Sequence, residues 1–328
     1  MSPTTVFLTP RDHALLGFLE MTPATAVQLR KVSATFPGEP FRDERRVRER
    51  LQSLQQAGFI KSTMSPVPLA GFVDRNRVGM GLSLVYRLTL EGYRAHYPDR
   101  DQSQAWFTGG EIAPSRLAHT MATAEVIVHT LVAAHAAQAR LVQFHGDGRL
   151  VLSIGEYRQI PDCHFQFERA GKSFNLLFEI DNATEPLDSK REHSIRTKIL
   201  GYERYQDWVL QNWHRLKQQG SQRPVFRVVF LTKGPERARH ILWLAQELAN
   251  NKDRRLCYAS MQVEYLAEPR AMTAPLFNDH HGQWQSLLDV NPTAAFQREP
   301  VRLKSFGSSH LFQSANQALL SVANETAV

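Results

Sequence analysis

The chain has 328 residues, 42% of them hydrophobic and 22% charged, with 18 Gly and 17 Pro; that balance feeds one large core or two modest ones and excludes a disordered, collagen-like or low-complexity protein. Its 39 Lys and Arg exceed 32 Asp and Glu for a net charge of +7, and the first 100 residues hold 14 basic against 9 acidic side chains, an asymmetry that points to a polyanionic partner, most often nucleic acid. The apolar runs fall short of a bilayer span, and the opening MSPTTVFLTPRDH lacks a signal peptide's basic-then-apolar pattern, so a cytoplasmic protein with no membrane partner is expected.

Taken in chain order, a Thr-Pro start followed by Ala14, Leu15, Phe18 and Leu19 at helical spacing predicts a first helix over 9–20. A second, shorter helix is predicted over 22–32. After Pro37, Gly38 and Pro40 comes a third over 42–57, stopped by Gly58, with Val47, Leu51 and Leu54 as its buried stripe. Its opposite arc presents Arg42, Arg45, Arg46, Arg48 and Gln52. Strands at 59–61 and 82–89, joined by a loop holding Arg75 and Arg77, complete a predicted winged helix-turn-helix over 1–98. In that fold the third helix enters the major groove of double-stranded DNA and the wing loop reaches the flanking backbone. A winged helix used for protein contacts is the alternative, against which the density of arginine argues.

Residues 99–114 are polar and Gly-containing and are expected to link this unit to a second domain over 115–268. There the pattern predicts a long helix at 117–138, strands at 141–144, 150–167 and 174–181, a helix at 189–216, a strand at 225–232, a helix at 236–250 and a last strand at 261–266. The order describes an α/β fold around a central mixed sheet. Beyond it, 269–328 is expected to be a C-terminal tail or peripheral cover. The cysteines, Cys163 and Cys257, lie too far apart for a CxxC knuckle and are expected to be reduced thiols.

Within the second domain, Asp162 lies in one strand region and Glu179 and Asp181 at the end of the next, where alternation puts these last two on one face. Up to three carboxylates are thereby brought together, an oxygen-rich set of the kind Mg²⁺ or Mn²⁺ prefers. On the following helix Lys198 and Tyr202 are four apart and share a face; facing the acids, Lys198 would orient water or stabilise charge at a phosphodiester. Asp279, His280 and His281 look like metal ligands but lack further ligands at a clear spacing, so an exposed loop is expected.

These segments, ERRVRERLQSLQQAGFI, YRLTLEGY and the run IPDCHF, LLFEIDNATEP and KILGYERY, resemble the replication-relaxation family over roughly residues 9–266. That resemblance implies a winged helix ahead of a PD-(D/E)XK nuclease-like, restriction-endonuclease-like domain, in a plasmid or mobile-element setting. It implies Asp162 and Glu179 as the acids and Glu125 as a supplementary metal ligand, with replication or mobilisation proteins as partners; a homodimer is a further expectation, from how often winged-helix proteins dimerise. The family's nuclease pattern places a lysine two residues after the second acid, where this chain has Asp181; Lys198 is the substitute. Two functions follow: a Mg²⁺-dependent DNA endonuclease or nickase, or a catalytically inactive nuclease-fold accessory protein or transcriptional regulator that binds DNA.

Overall fold

The computed structural model describes residues 7–65, 83–101, 112–146, 148–155, 157–183, 185–189, 194–218 and 225–289. Arg75, Arg77 and most of the expected linker lie outside these residues.

Helix α1 (Pro10–Met21) is opened by a reciprocal cap: the Thr9 backbone N–H donates to the Asp12 carboxylate at 2.7 Å, and the Asp12 N–H donates to the Thr9 hydroxyl at 3.3 Å. The predicted second helix is shorter than expected. Its first residues form a two-residue strand, β1 (Ala24–Thr25), and Thr25 and Gln28 repeat the reciprocal cap ahead of α2 (Ala26–Val32). Helix α3 (Glu44–Gln56) is capped by Asp43 and buries Val47, Leu51 and Leu54 as its spacing requires. Strands β2 (Ile60–Met64) and β3 (Leu84–Leu88) pair antiparallel, and β1 lies on the other side of β3. A helix that the pattern did not predict, α4 (Leu90–His96), follows at once. Thr89 caps it, and Gly92 is required there because a Cβ would stand 2.0 Å from the Phe59 carbonyl oxygen.

The rest is built on a seven-stranded mixed sheet. Helix α5 (Pro114–Ala136) leads into β4 (Arg140–His145), a separate hairpin of β5 (Leu152–Ile154) and β6 (Tyr157–Gln159), and then β7 (Cys163–Arg169) and β8 (Lys172–Asp181). The predicted strand over 150–167 is therefore three strands, with Asp162 just ahead of the last. Helices α6 (Ile195–Gln211) and α7 (Trp213–Gln218) replace the single helix predicted over 189–216. Strand β9 (Arg227–Thr232), helix α8 (Pro235–Leu248), strand β10 (Cys257–Met261), helix α9 (Gln262–Ala267), β11 (Phe277–Asp279) and β12 (Trp284–Gln285) follow. Sheet order is β12-β11-β10-β9-β8-β7-β4, with β8, β9 and β10 mutually parallel and the other pairs antiparallel.

Two expectations are corrected at the C-terminal end. The segment 261–266 is mostly helix, because Gln262 and Tyr265, three apart, are the residues it buries. Residues 269–289 are no tail: they add two strands to the sheet and bury Ala271, Met272, Leu276, Leu287 and Leu288. Residues 290–328 lie outside the described ones.

Alternation along β8 and β9 divides the core into two layers. Phe178, Ile180, Val229 and Leu231 pack on the side of α5, while Leu177, Val228 and Phe230 face α6 and α8. The α5 layer is continuous with the N-terminal helices through Leu15, Leu29 and Leu51. Helix α5 also corrects the reading of apolar runs. Its segment Ser115–Ala136 is long and apolar enough to cross a membrane, with a mean hydropathy of 1.3, and 72% of that window is buried inside the protein. Its apolar surface is spent on the sheet and on α2.

Candidate active site

Glu179 sits near the end of β8 on the face that meets α6, and it is almost wholly buried. The Lys198 ammonium donates to its Oε2 at 2.8 Å, and the Tyr202 hydroxyl donates to its Oε1. Lys198 donates as well to Glu185 Oε1 at 2.9 Å. Helix α6, capped by Ser194, supplies both donors from one face, four residues apart. Burial pushes the Glu179 carboxyl up to about 7; Lys198 opposes the rise and Asp162 adds to it. For Lys198, burial works against the charge, but Glu179, Glu185 and Asp162 outweigh it and hold the ammonium firmly protonated.

Asp162 stands at the mouth of the β7–β8 pair, one position beyond the Cys163↔Phe178 register. Its N–H donates to the Phe178 carbonyl at 3.0 Å, and its Oδ2 accepts from the Ile180 N–H at 2.6 Å, so the carboxylate continues the ladder where the strand stops. Its Oδ1 lies 2.9 Å from His119 Nε2 on α5. Asn182 Nδ2 donates to His119 Nδ1 at 3.0 Å, which makes Nδ1 the acceptor and leaves the ring proton on Nε2, directed at Asp162.

The other two expected ligands are held elsewhere. Asp181 shares the Glu179 face, but Arg237, in the first turn of α8, clasps it with Nε at 2.5 Å and Nη2 at 2.9 Å. Glu125 is buried where α5 meets α2: Lys31 donates to its Oε1 at 2.5 Å and Gln28 to its Oε2 at 3.1 Å. Among the described residues no three His, Cys, Asp or Glu side chains are placed to cage a metal ion. The expected cluster of up to three carboxylates, with Glu125 as a supplement, thus reduces to Asp162 and Glu179. Both remaining carboxylates already accept hydrogen bonds, Asp162 from His119 and the Ile180 N–H and Glu179 from Lys198 and Tyr202; an ion such as Mg²⁺ or Mn²⁺, commonly held by one or two protein carboxylates, would share these oxygens.

On α3 the outer face is basic but interleaved with acid. Arg45 and Arg48 each pair with a glutamate one turn away, Glu49 at 2.8 Å and Glu44 at 2.5 Å. Arg46 and Gln52 are exposed on the same helix. Arg42, expected as the first residue of this helix, instead precedes the Asp43 cap and lies outside α3, exposed with Glu39 at 3.8 Å. The Asp279-His280-His281 segment is a buried turn and not an exposed loop: Asp279 accepts from the His281 and Gln283 N–H groups, and Asp279 and His280 are buried.

Four residues of the site were given no role from the sequence. Glu185 and Asn182 both lay inside the quoted LLFEIDNATEP run, and His119 lay on the predicted long helix, where its spacing to other histidines gave no metal site. Arg237 lies 56 residues beyond Asp181, and nothing in the sequence joins them.

A family model described as replication-relaxation matches residues 18–217. The span takes in α3, Glu125, Asp162, Glu179, Lys198 and Tyr202 and ends before Arg237. No curated protein and no solved structure matches the chain.

Proposed function

The chain belongs to the replication-relaxation family, and from that premise we propose that it acts on the double-stranded DNA of plasmids or other mobile elements as a nicking or cleaving enzyme. In this reading the N-terminal helices and the β2–β3 pair form a winged helix-turn-helix that holds duplex DNA through α3. The order α5, β4, β7, β8, α6, β9 forms the nuclease-like unit that meets the phosphodiester. One observation carries the proposal: Lys198 reaches Glu179 from the neighbouring helix, at 2.8 Å, beside Asp162. In this reading the lysine that the nuclease pattern places at 181 is supplied from α6.

Asp162 and Glu179 would hold a Mg²⁺ or Mn²⁺ ion, which when bound polarises the phosphate and lowers the pKa of its water. The chain's own residues do the remaining work. Lys198, kept charged by Glu179 and Glu185, sets a fixed positive charge against the negative charge that develops on the phosphoryl oxygens. Tyr202 holds the Glu179 rotamer through its hydroxyl. His119, oriented by Asn182, directs its N–H at Asp162 and leaves that carboxylate one defined position.

The Arg237 clasp, which takes Asp181 out of the acid centre, favours a second reading, an inactive nuclease-fold accessory or regulator that binds DNA. Incubating supercoiled plasmid with the purified chain and Mg²⁺ or Mn²⁺ separates the two. Nicked or linear product that vanishes with Glu179→Ala supports the enzyme; plasmid bound by both proteins and left intact supports the accessory role. The reading also carries a cytoplasmic location, a homodimer on DNA and contact with replication or mobilisation proteins.

A further inference from the structure

We propose that the groove between the β5–β6 hairpin and α6 binds the bases of single-stranded nucleic acid. The proposal rests on the nucleic-acid reading above but not on the acid and lysine centre. The groove measures about 510 Å³ and is lined by Gly155, Tyr157, Arg204, Asp207, Trp208 and Gln211, a size and composition suited to a planar ligand with a polar edge.

Arg204 and Trp208 are four apart on α6 and share one face. The Arg204 guanidinium lies 4.0 Å from the centre of the Tyr157 ring, so hairpin and helix already present stacked flat groups. Trp208 is half-buried and anchored by a tilted contact with Tyr205 at 5.9 Å. Asp207 does not repel a polyanion strongly, because Arg254 Nη1 at 2.6 Å and Asn250 Nδ2 at 3.0 Å both donate to it. Exposed Arg204 supplies charge for phosphates beside the groove.

The walls are preformed. The Gln159 amide packs so closely on Gly201 that a Cβ there would stand 2.2 Å from its nitrogen, and it donates to the Thr197 carbonyl at 3.4 Å. The hairpin is thereby seated on the helix, while at Gly155, on the groove's rim, an added Cβ would meet nothing within 4 Å. A duplex hides the faces of its bases; a single strand offers them for stacking, and every base has such a face. Lys198 and Trp208 are ten residues apart on α6, about 15 Å along the axis, a span of a few nucleotides.

Binding of a labelled twelve-nucleotide oligothymidylate to the full chain, beside a duplex of equal length, tests this by fluorescence anisotropy. Trp208→Ala is expected to weaken oligothymidylate binding about 5- to 150-fold, the loss of one stacked base, with duplex affinity unchanged within about twofold. Arg204→Ala, at an exposed position that leaves the fold intact, is expected to weaken the same ligand selectively. Unaltered oligothymidylate affinity in both variants, or a parent protein that binds duplex and not oligothymidylate, overturns the proposal. A parent protein that binds neither removes the DNA-binding reading and this one together.

Discussion

Asp181 and Arg237 show how one pair changes the meaning of a residue. Asp181 has the position and chemistry of a metal ligand, yet it is buried against a guanidinium that matches both its oxygens. Removing one partner of a buried pair leaves an uncompensated charge. Arg237→Met is therefore expected to cost about 3–5 kcal/mol in urea unfolding, whereas Asp181→Leu combined with Arg237→Met recovers most of the loss; equal stability of Arg237→Met and the parent would show that Asp181 does not depend on the pair. His164 gives a pH dependence with a defined sign. Burial, the largest influence, lowers its pKa from 6.5 to about 4, against a hydrogen bond with Asn175, with nearby His145 lowering it further. Between those values the unfolded chain binds the proton and the folded chain does not, so stability falls as pH drops from 6.5 toward 4. The loss is on the order of 3 kcal/mol once both states are protonated. Unfolding curves of His164→Gln taken across this window should be flatter than the parent's, and identical slopes would show that another group carries the acid sensitivity.

Helix α3 carries the duplex-binding reading, and its charges are partly tied to its own glutamates. Exposed pairs of this kind are worth only about 0.3–0.5 kcal/mol, so a DNA phosphate can displace Glu44 or Glu49 at small cost. Reversing both Arg45 and Arg48 to glutamate is expected to weaken duplex binding and to reduce the slope of log affinity against log salt by up to about 2; a double variant with the parent's affinity and slope would take α3 out of the DNA contact. In α4, Gly92→Ala drives a Cβ into the Phe59 carbonyl and is expected to destabilise the fold by about 1–3 kcal/mol or more, read by thermal unfolding. These elements also show what was legible in the sequence. Thr9, Val47, Leu51 and the β-branched run of β9 announced their helices and strand because cap chemistry and periodicity are local. Helix α4 is one turn longer than a turn and follows a strand directly, so its period is too short to stand out. Segment 262–267 has an apolar pattern that suits either period over six residues, and only its packing against β10 and α5 decides. Asp162, Glu179, Lys198 and Tyr202 were legible as one centre because strand alternation and the i, i+4 rule are also local; the partners that close off Asp181 and Glu125 come from distant segments, which pattern alone does not join.

Across the whole molecule, the N-terminal helices do not hang from the sheet by a tether alone. Leu15, Leu29 and Leu51 belong to the same buried cluster as Phe165 and Phe178, and Lys31 and Gln28 grip Glu125 on α5. Helix α5 thus touches the N-terminal unit at Glu125 and the acid centre at His119, six residues away on the same rod. The two parts are expected to unfold together: urea transitions followed by tryptophan fluorescence and by far-ultraviolet circular dichroism should coincide, and two separated transitions would show that the shared core does not couple them. The central claim is that α6 supplies the lysine of a phosphodiester-cleaving centre, and nicking of supercoiled plasmid by Lys198→Ala, beside the parent protein with Mg²⁺, tests it most directly. The account predicts that the parent nicks and that the variant, still folded and still bound to the plasmid, is slower by about 10²–10³-fold, the loss of one fixed charge in the transition state. Nicking by Lys198→Ala at the parent's rate, or a parent that binds the plasmid and leaves it supercoiled, would contradict it.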